Sequence, residues 1–126
     1  MITIYHDPRC SKSREALTLV EQYSTANNLP LTVIDYQKTP LALLELVSLN
    51  QQLESATREM VRDNEEEYVS LNLQQADDAA LLQALATHPK LLQRPIVVYR
   101  DRAVIGRPLE RVTALLASVL RQDICR

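Results

Sequence analysis

The sequence predicts an α/β fold built as strand–helix–strand, a long helical segment, then strand–strand–helix. Three observations carry that expectation. Short apolar runs at residues 2–5 and Leu31–Tyr36 flank a stretch with apolar residues at helical spacing. Residues 40–88 read as almost wholly helical, in three or four pieces. Two further apolar runs, Pro95–Tyr99 and Ala103–Ile105, then precede the strongest amphipathic pattern in the chain. With 126 residues, 46% of them hydrophobic and 24% charged, the chain can build one apolar core, so a single domain over residues 1–126 is expected.

The elements follow in order. After the first strand, a helix from about Ser11 to Asn27 places Ala16, Leu17, Val20 and Tyr23 on one face, and Asn27-Asn28-Leu29-Pro30 ends it. The next strand, Leu31–Tyr36, completes a βαβ unit, which calls for parallel strands and a right-handed crossover. Thr39-Pro40 reads as a helix start, Thr39 capping and Pro40 in the first turn, with Leu43, Leu44 and Val47 as the apolar stripe. Breaks are expected near Glu54-Ser55, near Asp63-Asn64 and at Gln74 to Asp77, and Pro89 stops the last helical piece.

Arg100-Asp101-Arg102 forms a hairpin turn between the two later strands. Gly106 is the only glycine, expected where a side chain would clash. Pro108 opens the final helix, with Leu109, Val112, Leu115, Leu116, Val119 and Leu120 at three- and four-residue spacing. Without the insertion at about 40–88, what remains is βαβ–ββα, the thioredoxin arrangement. The insertion is expected to pack on the sheet.

A formal charge of −2 argues against a nucleic-acid partner. The charge is nevertheless uneven. Residues 53–67 are acidic, whereas residues 89–111 carry Lys90, Arg94, Arg100, Arg102, Arg107 and Arg111 against Asp101 and Glu110. Such runs are usually solvated surface, but arginines beside prolines at strand ends weaken that reading here. No secretory signal and no membrane-length apolar run is visible. Cys10 and Cys125 stand far apart and suggest no disulfide framework, so a cytoplasmic, reducing location is expected. Two distant cysteines and two distant histidines offer no metal site.

Cys10 carries the chemistry. It falls at the junction of strand and helix in His6-Asp7-Pro8-Arg9-Cys10-Ser11-Lys12-Ser13-Arg14. Free backbone N–H groups and the positive end of the helix dipole favour thiolate there. A lone cysteine is often a small buried hydrophobe; the polar neighbours Arg9, Ser11 and Lys12 are wrong for a core. His6 is either a base or electrostatic partner for Cys10, or a polar residue at a strand end. Arg14, a cation on the first helical turn, calls for a compensating anion or an ordinary salt bridge. Asp7 either opposes thiolate formation or points away and caps the helix start. Arg94 and Arg107 precede Pro95 and Pro108. In the thioredoxin arrangement the loop before the third strand lies beside the cysteine loop, and arginine's planar fork suits a tetrahedral oxyanion.

These residues resemble the glutaredoxin-coupled arsenate reductases and their close relatives, from Ile2 to about Leu120. The resemblance rests on four blocks: His6–Arg14; Arg58-Glu59-Met60-Val61-Arg62-Asp63-Asn64 with Tyr68 and Leu71; His88-Pro89-Lys90-Leu91-Leu92-Gln93-Arg94-Pro95-Ile96-Val97-Val98; and Ile105-Gly106-Arg107-Pro108. It implies that Cys10 is the nucleophile, that His6 helps keep it ionised, and that Arg62, Arg94 and Arg107 bind the oxyanion. Ser11, Ser13, Arg14 and Pro95 would support the loop, with a cis peptide before Pro95. It further implies an arsenate adduct on Cys10 resolved by glutathione as co-substrate and by glutaredoxin, with no bound cofactor. Asp7 replaces the family's usual asparagine. The cysteine loop resembles a subgroup described only as related to arsenate reductase.

Ser13 stands where a second cysteine of a Cys-x-x-Cys would be, and Cys125 is a remote candidate for an internal resolving thiol. Two rivals remain. One is a glutathione-dependent thiol/disulfide oxidoreductase, which needs Cys10 but can spare the arginines. The other is an Spx-like RNA polymerase-binding regulator, whose Cys-x-x-Cys switch is missing here.

Overall fold

The structure, a computed structural model, describes residues 1–124; Cys125 lies outside the described residues. Two compact units are present, one containing residues 1–35 and the chain from Arg94 onward, the other Tyr36–Gln93.

The first unit is a four-stranded sheet with two helices. Strand β1 (Ile2–His6) lies parallel to β2 (Leu31–Asp35) on one side and antiparallel to β3 (Ile96–Tyr99) on the other. Strand β4 (Arg102–Ile105) closes the order β2-β1-β3-β4. With α1 (Ser11–Ala26) and α5 (Glu110–Ile124), this is the expected thioredoxin-like βαβ–ββα core.

Alternation along the strands selects one buried face. Ile2 pairs with Tyr99 and Ile4 with Val97; all four are buried with Ala16 and Val20 of α1 and Val112, Leu115 and Leu116 of α5. Each such side chain contributes roughly 1.5–3 kcal/mol by leaving water. His6 continues the parity of Ile2 and Ile4, which is why it too is buried at the end of β1.

The β3–β4 turn is tighter than the three residues expected. Arg100 and Asp101, with φ of 51° and 62°, form a two-residue hairpin whose twist matches the strands. Helix α5 begins at Glu110, two residues beyond Pro108. Its entry is a tight turn in which the Pro108 and Leu109 carbonyls accept the Arg111 and Val112 N–H groups. The expected burial of Val119 and Leu120 lies outside the described side chains. The Arg94–Pro95 peptide is cis, as the resemblance implied, and so is Arg107–Pro108.

Gly106 sits against Pro95. A Cβ there would lie 2.9 Å from Pro95 Cγ and 3.0 Å from Val112 Cγ2, while the Gly106 N–H donates to the Pro95 carbonyl at 2.8 Å. A proline ring and a buried valine yield poorly. Gly106→Ala is therefore expected to destabilise the protein by about 1–3 kcal/mol in denaturant melts. An unchanged midpoint would show that both neighbours can move aside.

The second unit corrects two expectations. Residues 40–88 hold three helical pieces, as expected, but are less helical than expected. They form α2 (Leu43–Leu53), α3 (Glu66–Ser70) and α4 (Asp78–Thr87), with short 3₁₀ turns at Thr57–Met60 and Leu73–Gln75, and Val61 pairs with Leu92 in an isolated antiparallel bridge. Helix α2 starts at Leu43 rather than at Thr39-Pro40, because the Glu45 carboxylate accepts the Ala42 N–H at 2.9 Å and fixes the first turn there. Its buried residues are Leu46 and Leu49, whereas Leu43 and Leu44 are exposed. The breaks near Glu54, Asp63 and Asp77 stand: Glu54 is left-handed at the α2 terminus, and Asp77 caps α4 by accepting the Ala80 N–H. Arg58 ties this unit together, donating to the Leu73 and Ala76 carbonyls and to Tyr68 Oη.

Candidate active site

Cys10 is the N-cap residue of α1, in extended conformation, with its own side chain making no capping bond. The turn ahead of it is closed by the Cys10 N–H donating to the Asp7 carbonyl at 3.0 Å, and the helix begins with the Arg14 N–H donating to the Cys10 carbonyl. That geometry leaves the sulfur facing the free amides of the first turn. Half-burial pushes the thiol pKa up. The Ser13 amide, the Arg94 side chain, the Lys12 amide and the charge of Arg107 outweigh it, so the net shift is downward.

Two of the three arginines expected at the oxyanion, Arg94 and Arg107, lie beside the sulfur. Arg107 Nη2 lies 3.2 Å from Cys10 Sγ, while its Nε donates to the Arg94 carbonyl at 2.7 Å. The Arg94 side chain is the other cation that holds the thiol pKa down. One guanidinium is thus anchored on the backbone of the other.

Ser13 organises the loop from below. It is fully buried; its Oγ accepts the Asp7 N–H at 3.0 Å and lies 2.7 Å from His6 Nδ1. Burial lowers the His6 pKa, despite the opposing influence of Asp7 and Asp35. Which of the two donates follows the tautomer of the ring. His6 therefore reaches the cysteine loop through Ser13. Arg14 meets no anion in its described bond: Nη1 donates to the neutral Pro8 carbonyl at 2.9 Å and braces the loop. Ser11, the first residue of α1, is exposed.

Asp7 does something the local sequence did not reveal. It neither caps the helix start, a place Cys10 occupies, nor turns outward. Its Oδ1 accepts the Arg9 N–H at 3.0 Å, and its Oδ2 lies 3.2 Å from Arg94 Nε, the carboxylate buried and the guanidinium partly so. The only signal available in advance was a carboxylate in a loop otherwise rich in cations. Its partner is remote in sequence.

Arg62 belongs to the other unit, where its Nε lies 3.3 Å from Glu65 Oε1 and its N–H donates to the Leu91 carbonyl. Among the described residues no cluster of His, Cys, Asp and Glu could hold a metal ion, and no helix is long and apolar enough to cross a membrane.

A lowered thiol pKa has a direct readout. Alkylation follows the thiolate fraction, so its half-maximal pH in the folded protein should lie below that of the same cysteine in denaturant. Coincident curves would show that the fold does not favour the thiolate.

A family model described as the ArsC family matches residues 5–115. The chain is 44% identical over 118 residues to an arsenate reductase of Neisseria meningitidis serogroup A, covering 91% of this chain and 97% of that one. It is 36% identical to an arsenate reductase of Escherichia coli K12, covering 91% of this chain and 80% of the relative. Among solved structures, arsenate reductase from Vibrio cholerae superposes with a TM-score of 0.82 at 46% identity, covering 90% of this chain and 95% of that one.

Proposed function

The chain belongs to the ArsC family, and on that footing we propose that it reduces arsenate to arsenite through Cys10 in the cytoplasm, with glutathione and glutaredoxin completing the cycle. The observation that carries this reading is the sulfur itself, at a helix N-terminus with Arg107 Nη2 3.2 Å away. A thiolate so placed attacks arsenic(V), and the arginine donors neutralise the oxyanion and the charge on the departing oxygen. That oxygen leaves as water. Two thiols are exchanged for one disulfide and arsenic gains two electrons. Ser13 offers no second thiol beside Cys10; as the family resemblance implies, glutathione supplies the second sulfur and glutaredoxin resolves the mixed species. His6 and Ser13 act by holding the loop in the shape that presents the sulfur.

The test is NADPH oxidation coupled through glutathione and glutaredoxin. Turnover that requires arsenate, the reductase and both thiol partners supports the reading. Turnover of a small disulfide with none on arsenate would transfer the site to the thiol/disulfide oxidoreductases.

Arg62, assigned to the oxyanion by the resemblance, has its own test. A charge-assisted bond to substrate is worth about 1.5–3 kcal/mol, so Arg62→Ala should raise the arsenate KM by roughly ten- to a hundredfold. An unchanged KM with a lower melting point would leave Arg62 only its ion pair with Glu65.

A further inference from the structure

We infer that Asp7 determines the charge selectivity of this site: by ion-pairing with Arg94 it makes the surroundings of Cys10 accept a singly charged tetrahedral oxyanion in preference to a doubly charged one. The inference rests on the oxyanion chemistry proposed above and concerns which ionisation state of the anion is bound.

Position comes first. The Asp7 side chain is 5% exposed and that of Arg94 13%, with Oδ2 and Nε 3.2 Å apart. Asp7 cannot swing away, because its Oδ1 accepts the Arg9 N–H and its own N–H donates to Ser13 Oγ. A buried carboxylate without a cation is costly, so the pair persists whether or not a ligand is present.

Charge follows. Within this unit two guanidinium groups, Arg94 and Arg107, face two anions, the Cys10 thiolate and the Asp7 carboxylate. Those four charges sum to zero. Arg9 also approaches Asp7, at 3.8 Å, but its side chain is 80% exposed and its field is screened by water. Arg14 is likewise exposed and engaged by the Pro8 carbonyl. Lys12 is exposed on the first turn of α1, and burial shifts His6, which also feels Asp35, toward its neutral form. A dianion therefore approaches a thiolate and a carboxylate whose cations are already committed. A monoanion meets half that repulsion. Asparagine at position 7 would keep an oxygen near Arg94 and near the Arg9 N–H while leaving one guanidinium charge unspent.

The experiment compares wild type with Asp7→Asn by protection of Cys10 from iodoacetamide. Inorganic phosphate and arsenate serve as probes on the acid and alkaline sides of their second ionisation, each rate corrected for the thiolate fraction. Wild type is expected to bind the monoanion more tightly. In Asp7→Asn the dianion should bind about five- to tenfold more tightly and the monoanion, with half the charge, about two- to threefold more tightly. The variant's alkylation midpoint should also move to lower pH, a shift that loss of a merely structural contact does not produce. An unchanged ratio of the two affinities, or a midpoint that stays or rises, overturns the assignment. Should Asp7→Asn fail to fold, wild type alone decides: sulfate, doubly charged throughout, must protect more weakly than phosphate on the acid side, and equal protection overturns it. Charge selectivity for phosphate with no arsenate turnover would reject the proposed reaction and leave the role of Asp7 standing.

Discussion

Cys10→Ser abolishes arsenate turnover in the coupled assay, to below about a thousandth of the wild-type rate, and at acid pH leaves the fold as stable or slightly more so. The two halves of that expectation come from one position. A serine hydroxyl stays protonated where the thiol ionises, so the amides of Lys12 and Ser13 and the guanidinium groups have no anion to stabilise. Yet Cys10 is the N-cap of α1 and makes no capping bond, while serine is among the favoured caps. A serine cap contributes a gain of about 0.5–1 kcal/mol. Set against it is loss of the thiolate's own stabilisation of the fold above its lowered pKa, so the cap gain should show most clearly at acid pH. Thermal melts beside the kinetic assay separate the effects. Appreciable residual turnover would remove the sulfur from the mechanism.

Arg107→Ala lowers kcat/KM for arsenate by roughly a hundred- to a thousandfold, the usual loss for one preorganised oxyanion donor. The same variant should shift the Cys10 alkylation midpoint to higher pH, because the charge of Arg107 helps hold the thiol pKa down. Arg107→Lys restores part of that shift and little of the turnover. Lysine carries the charge, but it cannot donate at once to Cys10 Sγ and to the Arg94 carbonyl as the guanidinium fork does. With a small disulfide as substrate, where no oxyanion develops, the loss should be under about tenfold. Equal losses on both substrates would favour the thiol/disulfide reading.

Within the first unit the strands were legible because their periods are short and clean. Ile2, Ile4 and their neighbours alternate, and the β3–β4 hairpin is bracketed by turn residues. The shape of the Cys10 loop was legible for a related reason: the cysteine, the amides that lower its pKa and the serine beneath it all lie within Asp7–Arg14. Gly106 was placed correctly as a site of close approach, although its neighbours, Pro95 and Val112, come from other elements.

Helix α2 shows where such reading stops. Leu41, Leu43, Leu44, Leu46, Val47 and Leu49 crowd so many faces that helical spacing alone permits several stripes. Burial chose Leu46 and Leu49, a choice made by what packs against the helix. The start of that helix was misplaced for a similar reason, since Pro40 is permissive and the Glu45 carboxylate is decisive.

Periodicity and capping act over three or four residues, so the βαβ–ββα order, the position of Cys10 at a helix start and the chemical character of its loop were written in the chain itself. Only folding brought Asp7 against Arg94 and Arg107 against the sulfur. Electrostatic pairing depends on separation in space, and no local pattern records which distant guanidinium a carboxylate will meet.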